Sequence, residues 1–116
     1  MVCGGLGGVM EAAAKGAKQE GGFTLGILPG ISRKVACEHI DCSVATGLGH
    51  YRNFIIAQTA DALIGVSGKY GTLSEMAMAL TLGKTVVGLG TWEIEGVLEA
   101  KNPEEAVRLA IESAKT

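Results

Sequence analysis

Four short runs constrain this chain more than any other feature: residues 24–30 (TLGILPG), 42–46 (CSVAT), 62–66 (ALIGV) and 85–90 (TVVGLG). None carries a charge. Strands buried on both faces read as such uninterrupted runs, whereas half-solvated strands alternate apolar and polar residues. Helix-length segments separate them. Residues 9–20 set Met10, Ala13, Ala14 and Ala17 on one face, and Gly21 and Gly22 stop the pattern. Residues 51–60 form a second helix, and in the third, 73–82, Leu73, Met76, Ala77 and Leu80 share a face with Gly83 as C-cap. Asn102 and Pro103 supply an N-cap and a first-turn proline for a helix over 104–115. Residues 31–41 are mixed and charged, a surface excursion. Apolar strands alternating with helices predict parallel βαβ units, hence an open α/β sheet with helices on both faces.

The 116 residues fit a single domain, 1–116, and 47 % hydrophobic with 19 % charged residues is a globular composition. Glycine is the outlier, with 18 residues against an ordinary share of about 7 %. The glycines follow no G-X-Y period and stand between aliphatic runs, so they serve tight turns and close backbone approaches. A net charge of −2, a pI near 5.6 and few aromatic side chains argue against a nucleic-acid partner. Any anion is therefore held locally. No uncharged stretch is long enough to span a bilayer, and residues 1–20 are unlike a secretory signal, so no membrane partner and a cytoplasmic location are expected. Cys3, Cys37 and Cys42 are odd in number and form no CxxC; Cys37, His39 and Cys42 lack a fourth ligand at zinc-site spacing, so no metal is assigned.

Ligands of open α/β sheets bind beyond the carboxyl ends of the strands. The glycine clusters at 4–8 and 67–71 and the turn at 47–50 all stand between a strand end and a helix start, which brings three loops to one crevice. In GGLGG, residues 4–8, missing β-carbons let an anion approach backbone N–H groups and the positive end of a helix. It is not a full GxGxxG, because Met10 holds the third glycine position. GKT at 83–85 is no Walker A loop: Met78 stands where its first glycine belongs, and a strand follows instead of a helix. In SGKYGTLSE, Thr72 and Glu75 have the spacing of a capping box; equally, an acid in the first turn beside an anion loop can engage a sugar hydroxyl or an anomeric carbon. Arg52 opposes the dipole at a helix start, and phosphate binding is one reason for a cation there.

The run RNFIIAQTADALIGVSGKYGTLSEMAMAL (52–80) resembles the signature of the LOG (Lonely Guy) superfamily: an arginine, then an Asp-Ala followed by apolar residues, then PGGxGTxxE. GGLGGVMEAAAKGA (4–17), GILPG (26–30) and TGLGHYRN (46–53) are similar to its branch of molybdenum cofactor carrier proteins, often labelled putative lysine decarboxylases although nothing here resembles a pyridoxal phosphate site. The resemblance implies a Rossmann-like fold, a homodimer or higher homo-oligomer, and a nucleotide monophosphate or molybdopterin-type cofactor as ligand, with no other cofactor required. Its residue roles fall on Arg52 and Glu75 as the catalytic pair, and on Gly68, Gly71 and Thr72 as phosphate holders. Gly4, Gly5, Gly7, Gly8, Gly47, Gly49, Asn53 and Lys69 complete the expected binding set. Two departures stand out. Ser67 and Lys69 replace the proline and a glycine of PGG, and a lysine at positive φ would cost about 1 kcal/mol. The family also carries a strand and helix ahead of the residues matching 1–8. The expectation is thus a truncated chain with a gap beside the strand at 62–66, covered by oligomerisation. The function expected first is carrier-like binding of a phosphorylated small molecule; the alternative is a LOG-type phosphoribohydrolase cleaving nucleoside 5′-monophosphates to base and ribose 5-phosphate. Residues 31–41 and 90–96 are expected to line the ring side of the ligand, with no diagnostic pattern. The helix at 73–82 spreads Met76, Met78, Leu80 and Leu82 around its circumference, which suits burial against another subunit.

Overall fold

The computed structural model describes residues 1–114. The chain divides into two compact units, Met1–Ile56 and a second that begins at Ala57.

The first unit holds strands β1 (Val2–Cys3), β2 (Leu25–Leu28) and β3 (Cys42–Ala45), parallel and in that order, with helix α1 (Val9–Gln19) as the crossover between β1 and β2. Ile27 and Leu28 of β2 are buried, as an apolar central strand requires. Along α1 the buried line is narrower than expected: Ala14 is buried, Met10 and Ala17 are half-buried, and Ala13 falls on the exposed side. The helix ends as its glycines demand. Gly21, at φ 77°, and Gly22 donate to Lys18 O and Ala17 O at 3.0 and 2.8 Å, the two bonds of a Schellman cap.

Most of 31–41 is exposed, but its end is anchored. Thr24, fully buried at the start of β2, donates its N–H to Asp41 Oδ2 at 2.8 Å and its hydroxyl to the His39 carbonyl at 2.6 Å. Asp41 N–H donates back to Thr24 Oγ1 at 2.9 Å, and Lys18 Nζ at the end of α1 closes on Asp41 Oδ1 at 2.7 Å. The Lys18 ammonium and then the Thr24 amide hold the Asp41 carboxyl below the usual carboxylate range. A 3-10 turn, Gly49–Tyr51, leads into α2 (Arg52–Thr59).

In the second unit β4 (Ala62–Val66), β5 (Thr85–Leu89) and β6 (Leu98–Glu99) form a parallel sheet in that order, with α3 (Tyr70–Thr81) between β4 and β5 and α4 (Pro103–Ala114) after β6. The helices cover opposite faces. Gly65 of β4 lies under Met76 of α3 and pairs in register with Gly88. Val87, one residue from Gly88 and so on the other face, packs with Ala106 and Ala110 of α4. The face that α3 buries runs through Met76 and Ala79, with Leu73 and Leu80 half-buried; Ala77, expected inside, is exposed because it lies on the far side of the Met76–Ala79 line.

Gly83, at φ 75°, and Lys84 close α3 with a Schellman cap, donating to Leu80 O and Ala79 O at 3.0 and 2.9 Å. Lys84 has a structural post: its Nζ donates to the carbonyls of Ala57, Gln58 and Ala60 at 2.8, 2.5 and 2.5 Å, which places a cation at the C-terminal end of α2. That accounts for the lysine of GKT without any phosphate. Asn102 Oδ1 accepts from Glu105 N–H at 2.8 Å, the expected N-cap of α4; Lys115, the last position expected in that helix, lies outside the described residues. The two-residue β6 was not foreseen, since a pair this short carries no periodic signal. In its own sheet β4 is the terminal strand.

Candidate functional site

In a parallel sheet all strand-to-helix loops leave from one edge, so in the first unit the segments after β1, β2 and β3 share that edge. Gly4 and Gly5 are buried where the chain leaves β1, while Gly7 and Gly8 are exposed at the start of α1. Gly5 sits at φ 74° and Gly8, the N-cap of α1, at φ 70°; no side chain caps that helix. Its first amides and the positive end of its dipole are therefore available to an anion. Burial pushes the Cys3 thiol up, although the Gly5 N–H, 3.4 Å from its Sγ, acts in the opposite sense.

Arg52 explains why position 4 is glycine. Its residue is buried, and a β-carbon on Gly4 would stand 2.5 Å from Arg52 Nη2 and 2.9 Å from Cζ. The guanidinium thus lies against the main chain of the glycine loop. Arg52 Nη1 donates to Asn53 Oδ1, and Asn53 is itself buried, so Asn53 orients the arginine. Gly47 and Gly49 sit at φ 66° and 59°. Their N–H groups donate to Gly30 O and Pro29 O at 2.9 and 2.8 Å, tying the turn after β3 to the one after β2. They shape this edge without offering those amides to a ligand.

In the second unit the loop after β4 carries the other set. Positive φ falls on Ser67, at 49°, and Gly68, at 88°, while Lys69 lies at φ −116° and carries no strain. The cost attached to Lys69 in the sequence therefore belongs to Ser67. A β-carbon on Gly68 would overlap the Thr72 hydroxyl and stand 2.5 Å from Thr72 Cβ. Helix α3 starts at Tyr70 with Lys69 as N-cap and no side-chain cap. Thr72 is thus the third helical residue, and the T-x-x-E spacing does not form a capping box. Glu75 is half-buried on α3, and the Gly71 carbonyl accepts from Ser74 Oγ at 2.7 Å.

Beside this loop a cavity of about 190 Å³ opens at the carboxyl end of β5, lined by Gly88, Gly90, Thr91, Trp92, Glu93 and Glu99 among others. Its walls are tied to the loop. Thr91 Oγ1 donates to Ser67 O at 2.5 Å, Trp92 Nε1 donates to Lys69 O at 2.9 Å, and the Tyr70 and Trp92 rings stack with centroids 6.1 Å apart. Of the segment 90–96, Gly90, Thr91, Trp92 and Glu93 line this cavity, and Glu99 of β6 joins them from outside that segment. The signal available was the chain's single tryptophan placed directly after an apolar strand. Among the described residues, no three His, Cys, Asp or Glu are grouped to hold a metal ion, and no helix is long and apolar enough to cross a membrane.

A parallel α/β protein with glycine loops at its strand ends is a Rossmann-like protein, and its sequence and fold have known counterparts. The chain belongs to the SLOG cluster4 family, whose model matches residues 1–115. It is 50 % identical over 116 residues to an uncharacterized protein of Archaeoglobus fulgidus, covering 98 % of this chain and 76 % of that one. It is similar in structure to the molybdenum cofactor binding protein of the phototrophic bacterium Rippkaea orientalis, with a TM-score of 0.90 and 35 % identity over 99 % of this chain and 77 % of the other. The molybdenum cofactor carrier protein of Chlamydomonas reinhardtii gives a TM-score of 0.85 and 33 % identity, over 99 % and 78 % of the two chains. The resemblance to the carrier branch of the LOG superfamily is thereby borne out.

Proposed function

We propose that this protein binds a phosphorylated small molecule and acts as a carrier for a molybdopterin-type cofactor, with nucleoside monophosphates as the other ligand class of matching charge. One observation carries the reading: the buried guanidinium of Arg52 lies against Gly4, in the loop that leads to the uncapped N-terminus of α1. A fixed cation beside open helix amides suits a phosphate. Gly68, Gly71, Thr72 and Lys69 supply a comparable loop in the second unit, with an uncapped helix start and an exposed lysine at the N-cap. The two solved molybdenum cofactor proteins support the cofactor class. The exposed Ala77 of α3 and Leu82 at its C-cap support assembly into a homo-oligomer, which light scattering would report. The test of binding is calorimetry with AMP against adenosine: the monophosphate binds, the nucleoside binds at least about tenfold more weakly, and Arg52→Ala removes the difference. Equal binding of both would refute the reading.

A second reading, phosphoribohydrolase activity with Arg52 positioning the ligand and Glu75 stabilising charge at the anomeric carbon, gains support because α3 begins at Tyr70 and leaves Glu75 outside a capping box. It predicts free adenine from AMP, lost in a folded Glu75→Ala variant.

A further inference from the structure

The cavity at the end of β5 has a polarity that the phosphate reading does not use. Its two side-chain donors are already spent, Thr91 Oγ1 on Ser67 O and Trp92 Nε1 on Lys69 O. The acidic side chains in its lining, Glu93 and Glu99, are acceptors in their ionised form. Trp92 forms a wall fixed from two sides, by its N–H bond and by the stacked Tyr70 ring. Gly88 leaves room for the side chains of Thr91 and Val97, which a β-carbon would meet at 3.1 Å, and Gly90 turns the chain at φ 57°. A flat wall whose neighbouring uncommitted side chains are carboxylates favours a planar ring that offers adjacent N–H donors. The loop that Thr91 and Trp92 tie down carries Gly68 and Lys69, the second loop of the proposed phosphate reading.

Resting on the proposed phosphate binding, we infer that Trp92, Glu93 and Glu99 form a ring-recognition site for a 2-amino-4-oxopyrimidine edge, the edge shared by pterins and guanine. One carboxylate accepts the 2-amino group and the neighbouring ring N–H together, and the phosphate end of the same molecule lies toward Gly68 and Lys69. The acidic pocket and the basic loop then fix the direction in which the ligand binds. Adenine lacks this paired-donor edge, and hypoxanthine lacks the amino group.

The experiment titrates the full chain with GMP, IMP, AMP, a phosphorylated pterin and inorganic phosphate, in the wild type and in the Glu93→Gln/Glu99→Gln variant. Both substitutions are isosteric at exposed positions, and circular dichroism checks the fold. GMP and the phosphorylated pterin bind at least about tenfold more tightly than IMP and AMP; the variant binds all of them at the IMP level and keeps its affinity for inorganic phosphate. The tighter of GMP and the pterin identifies the ring. Equal binding of GMP and IMP, or discrimination that survives in the variant, overturns the ring assignment while phosphate binding stands. Absence of binding by every phosphorylated ligand and by phosphate overturns both.

Discussion

The two glycine loops look alike in sequence but yield to different neighbours. In the first, Gly4 makes room for the tips of two flexible side chains, Arg52 Nη2 and Met10 Sδ, each 2.5 Å from where its β-carbon would stand. In the second, Gly68 makes room for Thr72, fixed in the first turn of α3, and takes φ 88° besides. A glycine facing mobile tips serves the group that fills its space; one facing helix atoms at positive φ serves the backbone itself. The first loop is therefore set up around the Arg52 guanidinium, and the second around its own turn.

Substitutions at these positions separate the two roles, and Gly68→Ala should have the largest effect. Strain at positive φ and overlap with Thr72 destabilise the chain by about 2 kcal/mol or more in denaturant unfolding. Adding Thr72→Ala restores only part of this, because Thr72 Cβ itself stands 2.5 Å from the new methyl. Full recovery would place the strain elsewhere. Gly4→Ala acts differently: the guanidinium swings aside, stability changes by less than about 1 kcal/mol, and affinity for a phosphorylated ligand in calorimetry falls about tenfold. A large loss of stability at Gly4 with affinity intact would erase the distinction drawn between the loops.

Ser67→Gly sharpens the second loop from the other side, since it relieves the φ of 49° and gains up to about 1 kcal/mol in thermal unfolding. Loss of stability instead would mean that the serine side chain matters more than the turn. A smaller effect separates the first unit by its acid response. The Asp41 carboxyl is held low by Lys18 and Thr24, so its contribution is fully present above the unfolded value of about 4 and is lost as pH falls through its lower folded value. Asp41→Asn removes that part of the acid dependence in unfolding curves followed downward from pH 5.

Much of this was legible in the sequence, and the failures are informative. Strand 62–66 was placed to the residue, because a run bounded by Asp61 and Ser67 admits few alternatives. The parallel α/β class followed from uncharged strands alternating with helices, and the carrier-like family from the motif at 52–80. Less legible was anything set by a neighbour distant in sequence. Sequence alone excludes GKT as a Walker A loop but not what Lys84 does, which its three carbonyl partners supply, and the tie of Gly47 and Gly49 N–H to the carbonyls of Gly30 and Pro29 is equally invisible in the sequence. The strain expected at Lys69 fell two residues earlier, because positive φ depends on where a helix starts and spacing fixes that start only to within a few residues. Glu99 escaped notice because a two-residue strand leaves no pattern.

The central claim is that main-chain amides at the glycine loop of each unit, with Arg52 behind the first, hold phosphate. Backbone amide NMR of the labelled protein, titrated with a nucleoside monophosphate and separately with its nucleoside, tests it directly. Chemical-shift changes concentrated at Gly4, Gly7, Gly8 and the first turn of α1, and at Gly68 and Lys69, seen with the monophosphate and absent with the nucleoside, are the predicted result. Shifts that avoid both loops, or that are the same with and without the phosphate, would contradict it.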